Sequence, residues 1–362
     1  MTSVSLGLLL PTSSILPISK DVERGIKEGF AQNTSNITLS IVKEFIGQGG
    51  VKQTEEAVSR FFNYHDVDVV SGVVSQKVAD EVAEQFKKKK MPFIVNDLGA
   101  HIPRVEHLNE YTYINSLHLW QHAWAIGKWG VETFGKKGMY VSAVYDSGYS
   151  FSQMFHEGMV AADANADWSF SVCPMPPAGQ LSDVSVVFPF MEQYQPDFIF
   201  ATFCGAETTL FLKECIARGW HKRTAIIGLP FLMEPLEALP EDITLYSSIA
   251  SLNDDMIAPV RSFYQLGYET GAVLAKAAAA GGDLNRQLAQ HFTGLRKGDS
   301  EETLAADSSY EIVMLRSTIK AGTQEKEVAV VDTLPSFVME YQQMQSLVSE
   351  INFGWTNPYL CV

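Results

Sequence analysis

The sequence predicts an α/β protein of two doubly wound, three-layer (αβα) domains joined by a multi-stranded hinge. One observation behind this is a length of 362 residues, which at about 100 to 200 residues per domain suits two domains. Another is the alternation of short apolar runs with amphipathic segments, which starts over near residue 115. The third is an echo between the halves: Asp68-Val-Val-Ser-Gly, helix, Met91-Pro-Phe-Ile-Val returns as Asp197-Phe-Ile-Phe-Ala, helix, Ala225-Ile-Ile-Gly. Strands separated by helices pair in parallel, and their crossovers cover both faces of a sheet.

The elements follow in order. Residues 4–10 (VSLGLLL) are a nearly continuous apolar run, the mark of a strand buried on both faces, and Pro11 breaks it into a loop holding Thr12, Ser13 and Ser14. A helix from about residue 20 sets Val22, Ile26 and Phe30 on one stripe, and residues 37–45 alternate as a second strand. After Gly50 a helix carries Val51, Val58, Phe61 and Phe62 into a third strand over 67–71. Ser75 reads as the N-cap of a helix with Val78, Val82 and Phe86 on one face. The four lysines at 87–90 stand in its last turn, where positive charge complements the helix dipole. A fourth strand over 92–95 empties into the turn-prone Asn96, Asp97, Leu98 and Gly99.

A short strand over 111–115 closes the first half. The second half then gives helix 117–134, strand 139–145, helix 149–162, strand 168–173, helix 183–194, strand 197–202, helix 205–218 and strand 224–228. Pro189 should kink or shorten its helix. Beyond a strand over 244–249 come a long helix (257–280), a hairpin-like pair (311–317 and 327–333) and a final helix (335–350). The economical assignment puts residues 1–115 and 253–333 in a first lobe and 116–252 and 334–362 in a second, with the ligand cleft between them. The chain would then cross near Asn115, near Ser251 and after Thr333.

Charge and motifs narrow the function. Forty-two acidic against 27 basic residues leave a formal net charge of −15, which repels nucleic acid and anionic lipid, so neither is expected as a partner. No apolar run approaches the roughly 18 to 20 residues of a membrane span, and direct membrane insertion is not expected. Met1 runs almost directly into the first strand, so the protein is expected to be cytosolic or to have had a leader removed. Cys173, Cys204, Cys215 and Cys361 show no CxxC spacing, and at least the first three read as small buried hydrophobes. GxGxxG after the first strand, GxxxxGK[ST], GxSxG and HExxH are all missing. His118 and His122 stand at i, i+4 on a helix but lack a third ligand, so they read as capping or surface groups. Glu207 and Cys204 lie near a strand end with no histidine at hand to activate the thiol. Neither cofactor nor metal nor catalytic residue is expected.

What remains is geometry: open parallel sheets bind ligands outside the carboxyl ends of their strands, where helix N-termini offer amides. In the first half these ends are 12–14, 74–76 and 96–99, rich in small hydroxyl and amide groups that suit a carboxylate. In the second half they are 146–149, 203–206 and 229–231, with aromatic surface suited to an apolar or flat ligand body.

The sequence resembles the type I periplasmic solute-binding proteins, in particular the leucine/isoleucine/valine-binding branch of ABC-transporter receptors. The likeness rests on Leu6-Gly-Leu-Leu-Leu-Pro-Thr, Asp68-Val-Val-Ser-Gly with Ser75, Met91-Pro-Phe-Ile-Val, Tyr145-Asp-Ser-Gly-Tyr149, Gln195-Pro-Asp-Phe-Ile-Phe with Gly205-Ala-Glu, and Ala217-Arg-Gly219, spread over roughly residues 3 to 280. The resemblance implies two lobes that close over a small molecule and deliver it unchanged to the membrane permease of an ABC transporter, in the periplasm or another extracytoplasmic space. It implies that Ser75, Gln76, Asp97, Leu98 and Ala100 meet a ligand carboxylate, that Ser13 and Ser14 contribute, and that Tyr149 and Phe203 cover the ligand. Leu229, Pro230 and Phe231 stand where the family's amino-acid binders place an acidic residue for the ammonium group, and Ala100 stands near a common threonine. Asp97 or Glu207 could replace that acid. Otherwise the ligand would be a small carboxylate or amide with an apolar or aromatic body, stacked against Trp120, Tyr149, Phe203 or Phe231. A sensor domain of the same fold and a doubly wound enzyme working in the same cleft are the other readings of the pattern.

Overall fold

The computed structural model describes residues 2–13, 17–34, 36–102, 108–177, 179–251, 262–297, 304–305 and 311–335. The chain begins β1 (Ser3–Leu10), α1 (Ile18–Asn33), β2 (Thr38–Phe45), α2 (Val51–Tyr64), β3 (Val69–Val73), α3 (Gln76–Lys89), β4 (Phe93–Asp97) and β5 (Thr112–Ser116). It continues with α4 (Leu119–Phe134), β6 (Lys137–Ser142), a short α5 (Val144–Ser147), α6 (Phe151–Ala162), β7 (Asp167–Val172), α7 (Phe188–Tyr194), β8 (Phe198–Thr202), α8 (Gly205–Ala217), β9 (Ala225–Gly228) and β10 (Ile243–Ser251). Last come α9 (Ser262–Ala280), α10 (Leu284–His291), β11 (Leu295–Lys297), β12 (Leu304–Ala305), β13 (Glu311–Ile319) and β14 (Lys326–Pro335).

Two seven-stranded sheets result, in the orders β12-β11-β5-β4-β3-β1-β2 and β14-β13-β10-β9-β8-β6-β7. Five strands of the first sheet run in parallel, as do β7, β6, β8, β9 and β10 of the second. In the first lobe α1 and α9 pack on one face and α2 and α3 on the other, which is why β1 can be apolar at almost every position. In the second lobe α4 and α6 cover one face, and α7 and α8 enclose a separate core around Phe188, Phe211 and Trp220 on the other.

Three departures from the sequence expectation have clear causes. The 311–333 hairpin lies in the second sheet, not the first lobe. There β13 runs antiparallel to β10 from Ile243↔Ile319 to Ser251↔Glu311 and covers what would otherwise be an open edge. The third passage between lobes therefore falls between β12 and β13. Helix α9 packs on α1, and β11 pairs with β5, in the first sheet. The strand expected over 139–145 stops at Ser142, and the Asp146 N–H closes a turn on the Ala143 carbonyl. The helix expected over 183–194 divides into a 3-10 turn (Val184–Val187) and α7, with Pro189 in the first turn of α7, where its missing N–H costs no hydrogen bond. The helix expected after residue 335 lies outside the described residues.

Candidate functional site

The strand pleat decides what faces the gap between lobes. Along β4, Phe93 stacks on Phe86 of α3 with ring centroids 4.2 Å apart, so Phe93, Val95 and Asp97 face α3. The even positions turn the other way. Asn96 receives hydrogen bonds at Oδ1 from Asn115 (3.0 Å) and Thr270 (2.8 Å), and its own amide donates to Ser71 Oγ (3.0 Å) beneath α9.

Asp97 thus ends β4 at the N-terminus of α3. The backbone N–H groups of Gly99, Gln76 and Leu98 donate to its carboxylate, yet burial outweighs them and pushes its pKa up to about 7. Ser75 caps α3 as expected, its Oγ accepting from the Val78 N–H at 3.4 Å. The sequence reading left these first-turn amides for a ligand's carboxylate. The protein's own Asp97 takes the N–H of Gln76, the first residue of the helix.

The same loop joins the lobes. The Asp97, Leu98 and Gly99 carbonyls accept from the N–H groups of Leu117 (3.3 Å), Leu119 (3.1 Å) and Trp120 (2.8 Å), satisfying amides that the start of α4 would otherwise leave open. Gly99 is required here: its φ is +72°, and a Cβ would lie 2.5 Å from the His118 Cα and N. A few residues on, the Ser150 N–H donates to the Ala100 carbonyl (3.1 Å), the Ile102 N–H donates to Ser150 Oγ (3.3 Å), and the His101 and Tyr149 rings lie 5.2 Å apart. The loop after β4 of one sheet therefore touches the segment between β6 and α6 of the other.

The candidate residues are dispersed around this junction. Ser75, Gln76, Asp97, Leu98, Ala100, Trp120 and Tyr149 are buried at it, and Gln76 Nε2 and Trp120 Nε1 are buried without a hydrogen-bond partner. Ser13 and Phe231 are half-buried, Phe231 in a 3-10 turn (Pro230–Met233), and Ser14 lies outside the described residues. Phe203 lies apart from these residues. It follows the odd positions of β8, and its ring stacks on Phe211 of α8 at 4.4 Å inside the second-lobe core. Glu207 is likewise engaged, accepting from the Ser182 N–H at 2.6 Å.

The histidines correct another expectation. His122 is buried, not on the surface: its Nδ1 is 3.0 Å from Ser248 Oγ on β10. Burial pushes His122 down to about 3 and His118 to about 4, so both are neutral at pH 7. Among the described residues no group of three or more His, Cys, Asp or Glu side chains could hold a metal ion, and no helix is long and apolar enough to cross a membrane. Cys173 and Cys215 are buried, as expected, and free. Cys204, the N-cap residue of α8, takes part in a disulfide bond, which the irregular cysteine spacing concealed. Sequence reasoning also missed His101 and Ser150. Their signal was position alone, one just beyond the turn-prone loop and the other beside Tyr149.

Known proteins give this arrangement a context. Among solved structures the chain is similar to an ABC transporter substrate-binding protein from Sphaerobacter thermophilus (TM-score 0.69, 16% identity, covering 92% of this chain and 98% of that one). It is also similar to a solute binding protein of an ABC transporter from Rhodopseudomonas palustris BisB5 in complex with 3,4-dihydroxy benzoic acid (TM-score 0.69, 16% identity, 94% and 99% covered). A leucine binding protein from Thermotoga maritima MSB8 is a further likeness (TM-score 0.65, 16% identity, 91% and 98% covered). No curated protein matches the sequence. The profile of the family described as "Periplasmic binding protein" matches residues 47–255. That stretch is more than half of the sequence and spans both sides of the junction, and the chain belongs to the periplasmic binding protein family.

Proposed function

We propose that the protein is the extracytoplasmic solute-binding receptor of an ABC uptake system, taking a small organic solute between its lobes and handing it unchanged to a membrane permease. The observation that carries the reading is the meeting of the two sheets' loops: Ala100 and Ile102 bond Ser150, and Asp97 to Gly99 hold the start of α4. A ligand touching these loops touches both lobes, so it can stabilise one relative orientation over another. The first lobe would offer Ser75, Gln76, Asp97 and Ala100, and the second Trp120, Tyr149 and Phe231. The disulfide at Cys204 accords with an oxidising, extracytoplasmic compartment. The similar solved structures are named for substrate binding in ABC transport, and one holds an aromatic acid. Small-angle scattering with and without each solute found by a thermal-shift screen should show compaction on binding. Solutes that bind tightly and leave the radius of gyration unchanged would overturn the reading.

A further inference from the structure

We propose that Cys204 is bonded to Cys361, and that this bond pins the C-terminal stretch at both ends along the carboxyl end of the second sheet, making access to the junction between the lobes sensitive to thiols. The inference goes beyond the receptor reading and is tested without any solute.

The first ground is a count of sulfurs. The chain has four cysteines. Cys204 is in a disulfide bond, whereas Cys173 and Cys215 are free. A disulfide takes two sulfurs, so within one chain the partner is Cys361, which itself lies outside the described residues. Burial pushes the Cys173 thiol up to about 12 and that of Cys215 well above its ordinary range, so neither offers a thiolate to compete. As the S–S bond forms, the two thiols lose two protons and two electrons. A small disulfide such as oxidised glutathione takes them up and leaves as two thiols, and a dithiol such as dithiothreitol reverses the exchange.

The second ground is the place of Cys204. It is the N-cap residue of α8, directly after β8, and is 7% exposed. The pleat divides it from its neighbour. Phe203 turns into the core with Phe211, whereas Cys204 belongs to the hydrophobic cluster that takes in Leu98, Ala100 and Tyr149 at the junction. The Thr202 carbonyl accepts from the Ala143 N–H (3.4 Å), which ties this strand end to the segment leading to Ser150.

The third ground is where the C-terminal stretch departs. Glu311 pairs with Ser251 at the end of β10 and with Pro335 at the end of β14, so β14 ends on the same side as β10 and, through the parallel pairs, as β9 and β8. In the order β14-β13-β10-β9-β8 the two anchors stand four strand spacings apart, roughly 19 Å at about 4.8 Å each. The chain between Pro335 and Cys361 is long enough to cover that distance several times over at about 3.3 Å per residue. Both anchors thus lie where open parallel sheets take their ligands.

Two measurements decide it. Proteolysis of the alkylated, unreduced protein, read by mass spectrometry, should give one linked peptide pair containing Cys204 and Cys361. Hydrogen exchange of the oxidised parent should then be slower, severalfold, over residues 97–102 and 143–150 than that of Cys361→Ser. Dithiothreitol should bring the parent to the rate of the variant and leave the variant unchanged. Cys204 found as a thiol, capped by glutathione or bonded to a second copy overturns the pairing. Equal exchange in parent and variant, or acceleration of both by dithiothreitol, overturns the thiol-sensitive access. The dithiothreitol arm on the parent keeps the test sharp if the variant folds poorly, and the scattering test of the receptor reading is scored separately.

Discussion

In the first lobe α1 and α9 touch backbone to backbone through Gly25, Gly29, Gly267 and Gly271; in the second α4 and α6 do so through Gly127 and Gly158. A Cβ at Gly271 would lie 2.1 Å from the Ile26 carbonyl oxygen, and one at Gly158 would lie 1.9 Å from that of Trp124. The device is shared, but its wiring differs. Helices α4 and α6 are close in sequence, with only β6 and α5 between them, whereas α9 reaches α1 only after the chain has passed through the second lobe and returned. The carboxyl ends of the two sheets differ as well. The first lobe ends in Asp97 and its amides, and the second in the chain of hydroxyls from Tyr140 to Thr202 (2.8 Å) and Thr202 to Ser142 (2.8 Å) beside aromatic rings.

The largest test of this comparison is Gly271→Ala against Gly158→Ala. Each forces a methyl into a backbone contact and should cost about 3 to 4 kcal/mol, at the upper end for overpacking, measured by urea unfolding. If both lobes rely on the device, the two losses will be similar; a cost under about 1 kcal/mol at either site would show that helix pair to be slack.

A smaller and pH-dependent effect should come from Asp97→Asn. The folded pKa of about 7 lies above the ordinary 3.8, so the folded protein holds a proton that the unfolded chain has released, and stability from this group falls as pH rises from about 4 to 7. From pH 5 to pH 8 the variant should gain about 2 to 3 kcal/mol relative to the parent, at about 1.4 kcal/mol per pKa unit. His118 and His122 act with the opposite sign. Their folded values lie below the ordinary 6.5, so protonation favours the unfolded chain and stability drains as pH falls below that value. Denaturation curves of parent and variant that stay parallel across this range would remove Asp97 from the comparison.

The smallest effect tests the contact between lobes. Ser150→Ala removes the acceptor for the Ile102 N–H and should favour separated lobes by about 1 kcal/mol. Scattering from the ligand-free protein would then give a larger radius of gyration, and an unchanged radius would show that Ser150 does not hold the two sides together.

Much of the fold was legible because parallel strands buried on both faces leave apolar runs, and their helices leave stripes such as Val22, Ile26 and Phe30. The Ser75 cap was legible from its own chemistry. The hairpin over 311–335 was not assignable, since a pair of strands with a free edge fits either sheet until the ladder with β10 is seen. In the site, the loop at residues 96–100 could be found from its turn residues, but not that Asp97 would fill the helix terminus. That depends on which pleat position ends β4. The same parity sends Phe203 into the core. The glycine contacts were invisible because a glycine in a helix registers only as a poor helix former until the neighbouring backbone is known.

One feature of the hinge reaches further. Three consecutive carbonyls, from Asp97 to Gly99, tether Leu117, Leu119 and Trp120 at the entry to α4, so in a receptor that closes on its solute the strip that senses an occupant would also be the axle of the far half. In such a receptor a change of taste at this strip would also be a change of leverage, and a drift in specificity there would carry the opening angle along with it.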